Sequence, residues 1–272
     1  MKKSLFILIF SIVSLAVSAQ MENSSVSSEM DSVQMTETMK DAIIDYTFYV
    51  AFQQVDSIIG EGMYMSALEA IDSLFVIWNR HMERPFPINM YISKCMVLMR
   101  LEEWNDLIAV TKECISVYNN ETEPYTSVLY SMQGSAYRNV KDYKNAVRAY
   151  EMAMSNYKYK NDIGGEADML CNMAYCYECI EKYSLAGSFY NKGFNKYLEY
   201  FNVSRSYLLK KTLSYSDTLK NTSLGVFSCH LYNMAVYEQD FGDRSLSKEY
   251  LLMSANCGNR DAQREYDRIY GN

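Results

Sequence analysis

Histidine, proline and glycine are scarce in this chain, and basic residues are nowhere concentrated. Of 272 residues only 2 are His (His81 and His230), 3 are Pro and 11 are Gly. Neither histidine stands beside a Ser or Cys in a nucleophile pattern and there is no Gly-rich phosphate loop, so no catalysis and no cofactor is expected. So little Pro and Gly, combined with 49% hydrophobic and 22% charged residues, excludes a disordered chain and favours helices around a sizeable core. With 26 Lys+Arg against 33 Asp+Glu the net charge is -7, so the electrostatic footprint of a nucleic-acid partner is missing. There is also no second long apolar run beyond the one at the N-terminus.

That first run has an address-like form. Lys2 and Lys3 precede the apolar stretch Leu5–Val17, and Val17-Ser18-Ala19 supplies small residues for cleavage before Gln20. Thirteen residues rise about 20 Å as a helix, short of the roughly 30 Å of a bilayer core. Residues 1–19 therefore read as a secretory signal peptide cleaved after Ala19, with no membrane insertion afterwards and a periplasmic or secreted destination. Residues 20–34, rich in Ser and acids, read as a flexible spacer.

What remains repeats itself. Small or slim residues recur as a triplet with spacings of twelve and seven: Val55, Ala67 and Leu74; Cys95, Leu107 and Cys114; Gly134, Ala146 and Ala153; Ala174, Ala186 and Gly193; Ala235, Ser247 and Ser254. Nine residues after the first member stands Tyr64, Trp104, Tyr143 or Tyr183, with Arg244 breaking the rule in the last copy. Such a pattern describes two antiparallel helices whose backbones approach over small side chains, joined by a tight turn under an aromatic. Gly60, Gly62 and Gly242 mark turns within copies; Pro85, Pro87, Pro124, Gly164 and Gly165 fall in gaps between them.

These residues resemble the tetratricopeptide repeat (TPR), most clearly in Gly134, Tyr137, Tyr143, Ala146, Tyr150 and Ala153, and again in Ala174, Tyr177, Tyr183, Ala186, Tyr190 and Gly193. The last copy is similar to the Sel-one-like repeat through Tyr250, Ala255, Gly258, Ala262 and Gln263. The resemblance implies an all-α, right-handed superhelical solenoid of about five antiparallel helix pairs. Repeats 1–4 occupy residues 35–200, an insertion residues 201–227, and the last repeat with its polar capping helix residues 228–272. The insertion has two readings, a functional loop or a helix over Ser206–Leu213 followed by a plain loop.

A protein or extended peptide bound in the concave groove is the function that the resemblance implies, with partner and oligomeric state unspecified. Groove-facing candidates are Met96, Arg100, Met132, Arg138, Asn139, Asn172, Tyr175, Cys179, Tyr232 and Asn233. Asn172 and Asn233, at equivalent places, can offer donor and acceptor to a peptide backbone, as Asn does in peptide-binding members of the family. Arg100 and Arg138 stand near Asp168, Glu178 and Asp240, which argues against a C-terminal carboxylate ligand and for a mixed segment touching Met96, Met132, Tyr175 and Tyr232. Rival readings are a structural subunit of an envelope assembly and a cysteine-based redox or metal protein. Seven Cys leave at least one thiol unpaired within the chain. Cys229 and Cys257, on neighbouring antiparallel helices, are the best disulfide candidate. Cys171, Cys176 and Cys179 do not share one helical face and have no nearby His, so no metal site is expected.

Overall fold

The computed structural model describes residues 30–118, 125–159, 161–210 and 221–271. Helices occupy them almost throughout, with no strand among the described residues: α1 (Met30–Gly60), α2 (Tyr64–His81), α3 (Ile88–Leu101), α4 (Trp104–Val117), α5 (Thr126–Asn139), α6 (Tyr143–Tyr159), α7 (Ile163–Cys179), α8 (Tyr183–Phe201), α9 (Arg205–Lys210), α10 (Asn221–Phe241), α11 (Arg244–Asn256) and α12 (Arg260–Tyr270). The chain divides into two compact units, Met1–Asp106 and Leu107–Asn272. The arrangement is an all-α helical repeat of the TPR-like kind.

The repeat spacing finds its physical cause at the turns. Tyr64, Trp104, Tyr143, Tyr183 and Arg244 are each the first residue of a second helix. Every position of the five triplets is buried, and in the four copies that lie within one unit these are the places where two helices lie against one another. Two residues before the aromatic the backbone turns left-handed, at Gly62 (φ 74°), Glu102 (φ 60°), Lys141 (φ 63°) and Glu181 (φ 61°). There the amide of the following residue reaches back across the helix end: Met63 N donates to Ile58 O (3.1 Å), Glu103 N to Leu98 O (3.0 Å), Asp142 N to Tyr137 O (2.8 Å) and Lys182 N to Tyr177 O (2.9 Å). This is the Schellman ending, which satisfies carbonyls that the helix leaves orphaned. In the last copy the Glu238 carboxylate accepts from Asp243 N (2.9 Å) instead, and no left-handed residue occurs there.

A left-handed non-glycine residue costs roughly 1–2 kcal/mol, while glycine gives back roughly 0.5–1 kcal/mol through the freedom of the unfolded chain. Glu102→Gly and Glu181→Gly are each expected to raise stability by up to about 1 kcal/mol, read as a higher urea midpoint with unchanged slope. An unchanged or lower midpoint would mean that the Glu side chains hold these turns by contacts of their own.

In the first unit the core is aromatic. Phe48 meets Trp78 edge-on (4.8 Å between centroids), Phe75 meets Phe86 (5.1 Å), and Trp78 Nε1 donates to Arg84 O (2.8 Å). In the second unit, Tyr150 and Met173 anchor the packing of α6 on α7. Tyr197, Phe227 and Leu231 anchor that of α8, α10 and α11. Small hydroxyls replace alanine in the last pair, and their polarity is satisfied across the helix contact: Ser247 Oγ donates to Ala235 O and Ser254 Oγ to Ser228 O, both at 2.7 Å.

Three boundaries differ from the sequence expectation. Helix α1 already begins at Met30, so residues 30–34 of the expected spacer are helical, while residues 1–29, which carry the signal-peptide reading, lie outside the described residues. Gly164 and Gly165 are not in a gap but in the first turn of α7; the turn itself is made by left-handed Asn161 and capped by Asp162, whose carboxylate accepts from Gly165 N (2.9 Å). These glycines are small because aromatic rings press on them. A Cβ would stand 2.8 Å from Tyr200 at Gly164 and 2.6 Å from Tyr157 at Gly165. Within the insertion, Asn202 (φ 54°) ends α8 and the short helix α9 covers 206–210 of the helix expected over Ser206–Leu213, the rest of which lies outside the described residues. It is docked rather than free: Leu208 is buried, Asn256 Nδ2 donates to Leu208 O (2.7 Å), and Arg205 Nε donates to Glu249 (2.9 Å). Residues 211–220 lie outside the described residues. Finally, the last repeat's first helix starts at Asn221, seven residues before the expected 228. The chain closes on α12, whose buried side is Ala262 and whose other faces carry the ion pairs Arg264–Asp261 and Arg268–Glu265.

Candidate functional site

Three successive first helices of the second unit, α5, α7 and α10, contribute to one open cavity of about 390 Å³. Its lining is Arg138 and Asn139 from the end of α5, Lys141 from the left-handed turn, Tyr143 from the start of α6, Tyr175 from α7 and Asn233 from α10. The size falls within the roughly 300–1,000 Å³ of ordinary ligand sites. Four of the ten groove residues expected from sequence meet here: Arg138, Asn139, Tyr175 and Asn233.

Arg138 is held from two sides. Its Nη1 donates to Asn172 Oδ1 (2.9 Å) and its Cζ lies 5.8 Å from the centre of the Tyr175 ring. Guanidinium forks held this way lose less freedom on binding than a swinging lysine. Asn172 thus serves as the orienter of Arg138 rather than as part of the wall. Asn139 Nδ2 donates to Ser135 O one turn back (2.8 Å). Asn233 makes no hydrogen bond among the described residues, which leaves its amide for a ligand.

Cys179 is half-buried and neighbours the two wall tyrosines. Interaction with the Cys179 thiol, ahead of burial, pushes the Tyr143 phenol up to about 12. Burial, then the same thiol, raises Tyr175 as well. Both phenols therefore stay protonated. Glu178, next to Cys179, lies off the cavity; Tyr190 Oη donates to its Oε2 (3.0 Å), and burial raises its carboxyl above the ordinary range.

The other sequence candidates are placed elsewhere. Met96 and Arg100 lie exposed on α3 in the first unit. Met132 is half-buried on α5 but lines no part of the cavity, and Tyr232 packs on the core beneath α10 and α11. Asp168 on α7 accepts from Tyr197 Oη and lies 3.6 Å from His230 Nε2, so it joins helices rather than facing a ligand.

All seven cysteines are free thiols, and Cys229–Cys257 is not bonded. The correction comes from register: Ser228 faces Ser254 across the contact, so Cys229, about 100° further round α10, is exposed while Cys257 is buried. Burial pushes the Cys114, Cys176 and Cys257 thiols up to about 12, and Cys171 upward too, which keeps them poor nucleophiles. Among the described residues no three His, Cys, Asp or Glu side chains stand close enough to hold a metal ion.

Lys141 and Tyr143 escaped the sequence reading of the site. Tyr143 was legible only as the aromatic over a turn. Lys141 occupies the turn position that is Gly62, Glu102 and Glu181 in other copies, and its reversed charge was the available signal.

No family model and no curated protein matches the chain. Solved structures do share its fold. BtubC (BKLC) from P. vanneervenii superposes with a TM-score of 0.59 at 10% identity, covering 95% of this chain and 93% of that one. The apo form of the quorum sensor NprR from B. thuringiensis gives 0.57 at 14%, covering 98% of this chain and 71% of that one. A putative kinesin light chain of Podosopora anserina with nearly identical TPR-like repeats gives 0.54 at 12%, covering 81% and 96%. At such identities the likeness concerns the fold.

Proposed function

We propose that this chain is an exported, non-catalytic helical-repeat scaffold that binds a protein or an extended peptide at the cavity formed by α5, α7 and α10. One observation carries the reading: three successive repeats place amides, phenols and a pre-oriented guanidinium around one open space. Peptide recognition needs that mixture, donors and acceptors for the backbone and aromatic faces for side chains. Lys2, Lys3, the Leu5–Val17 run and the Ala19 cleavage site support export. None of the described helices is long and apolar enough to cross a membrane. Similarity of the final pair to Sel-one-like repeats belongs to the same proposal, resting on the buried Ala262 and on Gly258 (φ 92°) at the α11–α12 turn.

The test is a crosslinking capture from envelope extract with wild type and with a Tyr175→Ala, Asn233→Ala variant of matching circular dichroism and melting. A partner captured by wild type and lost by the variant is the expected result, and the recovered scaffold should begin at Gln20. Equal capture by both proteins would remove the cavity from the interaction.

A further inference from the structure

We propose that the cavity recognises an acidic side chain, Asp or Glu, inside an extended segment of the partner, with Arg138 and Lys141 as the two cations that receive its carboxylate. The inference rests on the peptide reading above and adds to it the charge of the residue that is read.

Three observations point the same way. The chain as a whole is acidic, with 33 Asp+Glu against 26 Lys+Arg, yet the cavity wall holds two cations and no carboxylate. Neither cation is neutralised internally: Arg138 and Lys141 form no ion pair among the described residues. The turn residue that lines the cavity is Lys141, where the neighbouring copies carry Glu102 and Glu181, so the local sign is reversed only in the copy whose turn reaches the site.

The remaining wall groups fit an acceptor-only ligand. Arg138 spends one N–H on Asn172 and keeps the rest of its fork, and the Asn233 amide is uncommitted. An ionised carboxylate offers two oxygens, each able to take more than one such donor, and bonds of this charge-assisted kind are the strong ones. The carboxylates close by are engaged elsewhere: Glu178 accepts from Tyr190 Oη, and Asp142, between Lys141 and Tyr143 in the chain, accepts from Asn145 N (3.3 Å) and Asn145 Nδ2 (2.7 Å). The competing explanation for the cations is the negative end of the α5 dipole, which favours Arg and Lys at any helix C-terminus. That explanation needs no ligand and predicts no charge preference.

Fluorescence anisotropy on the full-length protein separates the cases. The probes are two pools of short labelled peptides, acetylated and amidated at their ends, random in sequence without Asp or Glu except for a fixed central Glu in one pool and Gln in the other. Wild type is expected to bind the Glu pool about tenfold more tightly. Arg138→Gln and Lys141→Gln should each bring that ratio towards one while the Gln pool binds as before. Lys141 is an exposed turn residue, so its variant stays informative even where Arg138→Gln loosens α5 from α7. Equal affinity of wild type for the two pools would overturn the acidic reading and leave the peptide reading standing; no binding of either pool would overturn both. A Glu preference that survives both substitutions would overturn the assignment to these residues.

Discussion

Tyr197→Ala should cost about 3–5 kcal/mol, the range for removing a large ring from a packed core, and lower the urea midpoint accordingly. Tyr197 is fully buried, stacks on Phe227 (4.4 Å between centroids) and lies 5.9 Å from the His230 ring, while its hydroxyl donates to Asp168. One side chain therefore fills the space shared by α8 and α10 and satisfies a carboxylate on α7. Alanine leaves a void that the helices, already held by their neighbours, cannot collapse into. Tyr197→Phe keeps the ring and loses only the hydrogen bond, for which roughly 1–2 kcal/mol is expected because the Asp168 carboxylate still reaches water. Equal losses in the two variants would place the stability in the polar contact instead of the ring.

Gly193→Ala is expected to destabilise by about 1–3 kcal/mol, although alanine is the better helix former. The new Cβ would run into Cys171 Sγ and lie 3.3 Å from both Ala167 O and Cys171 N. The sulfur can be removed and the backbone cannot, so Cys171→Ala introduced beside Gly193→Ala should recover part of the loss. A double-mutant cycle reads this directly as a positive coupling. Gly225→Ala on α10 is the control: nothing lies within 4 Å of its Cβ, so a gain of about 0.5–1 kcal/mol is expected from propensity alone. If Gly193→Ala behaved like Gly225→Ala, the close approach of α8 to α7 would not be what the small residue is for.

Much of the architecture was legible because it depends on a local rule repeated five times. Helix pairs must turn within a few residues and must approach closely, so small residues recur at set spacings in all five copies, and an aromatic with a left-handed turn in four of them. The same spacing locates the first residue of each second helix. Where a small residue has a different cause, the rule misled. Gly164 and Gly165 looked like punctuation, but Tyr200 and Tyr157 make them small, and those rings come from other helices. The Cys229–Cys257 pairing misled in a related way, since Ser228 meets Ser254 across the helix contact and leaves Cys229 exposed while Cys257 is buried.

The candidate site was legible in part. Helical periodicity brought Arg138, Asn139, Tyr175 and Asn233 to one face, where they line the same cavity, because each follows from its own helix. Division of labour among the polar residues was not. Asn172 and Asn233 are equivalent by spacing, yet Asn172 is taken by Arg138 and Asn233 is left for a ligand. Cys179 similarly reads as groove lining, whereas it lies off the cavity wall beside Tyr143 and Tyr175, whose phenols it helps to raise.

By itself the sequence determined the helical class, the number and phase of the helix pairs, and which small residues are buried, since all of these follow from interactions within one helical hairpin. Tertiary structure alone decided that Lys141 and Tyr143 join the wall, that α9 docks on α11, and which amide is spent and which is free. Those outcomes depend on how separate hairpins stack, which is set by side-chain packing between residues some 30 to 50 positions apart, as in Arg138 with Asn172 and Leu208 with Asn256.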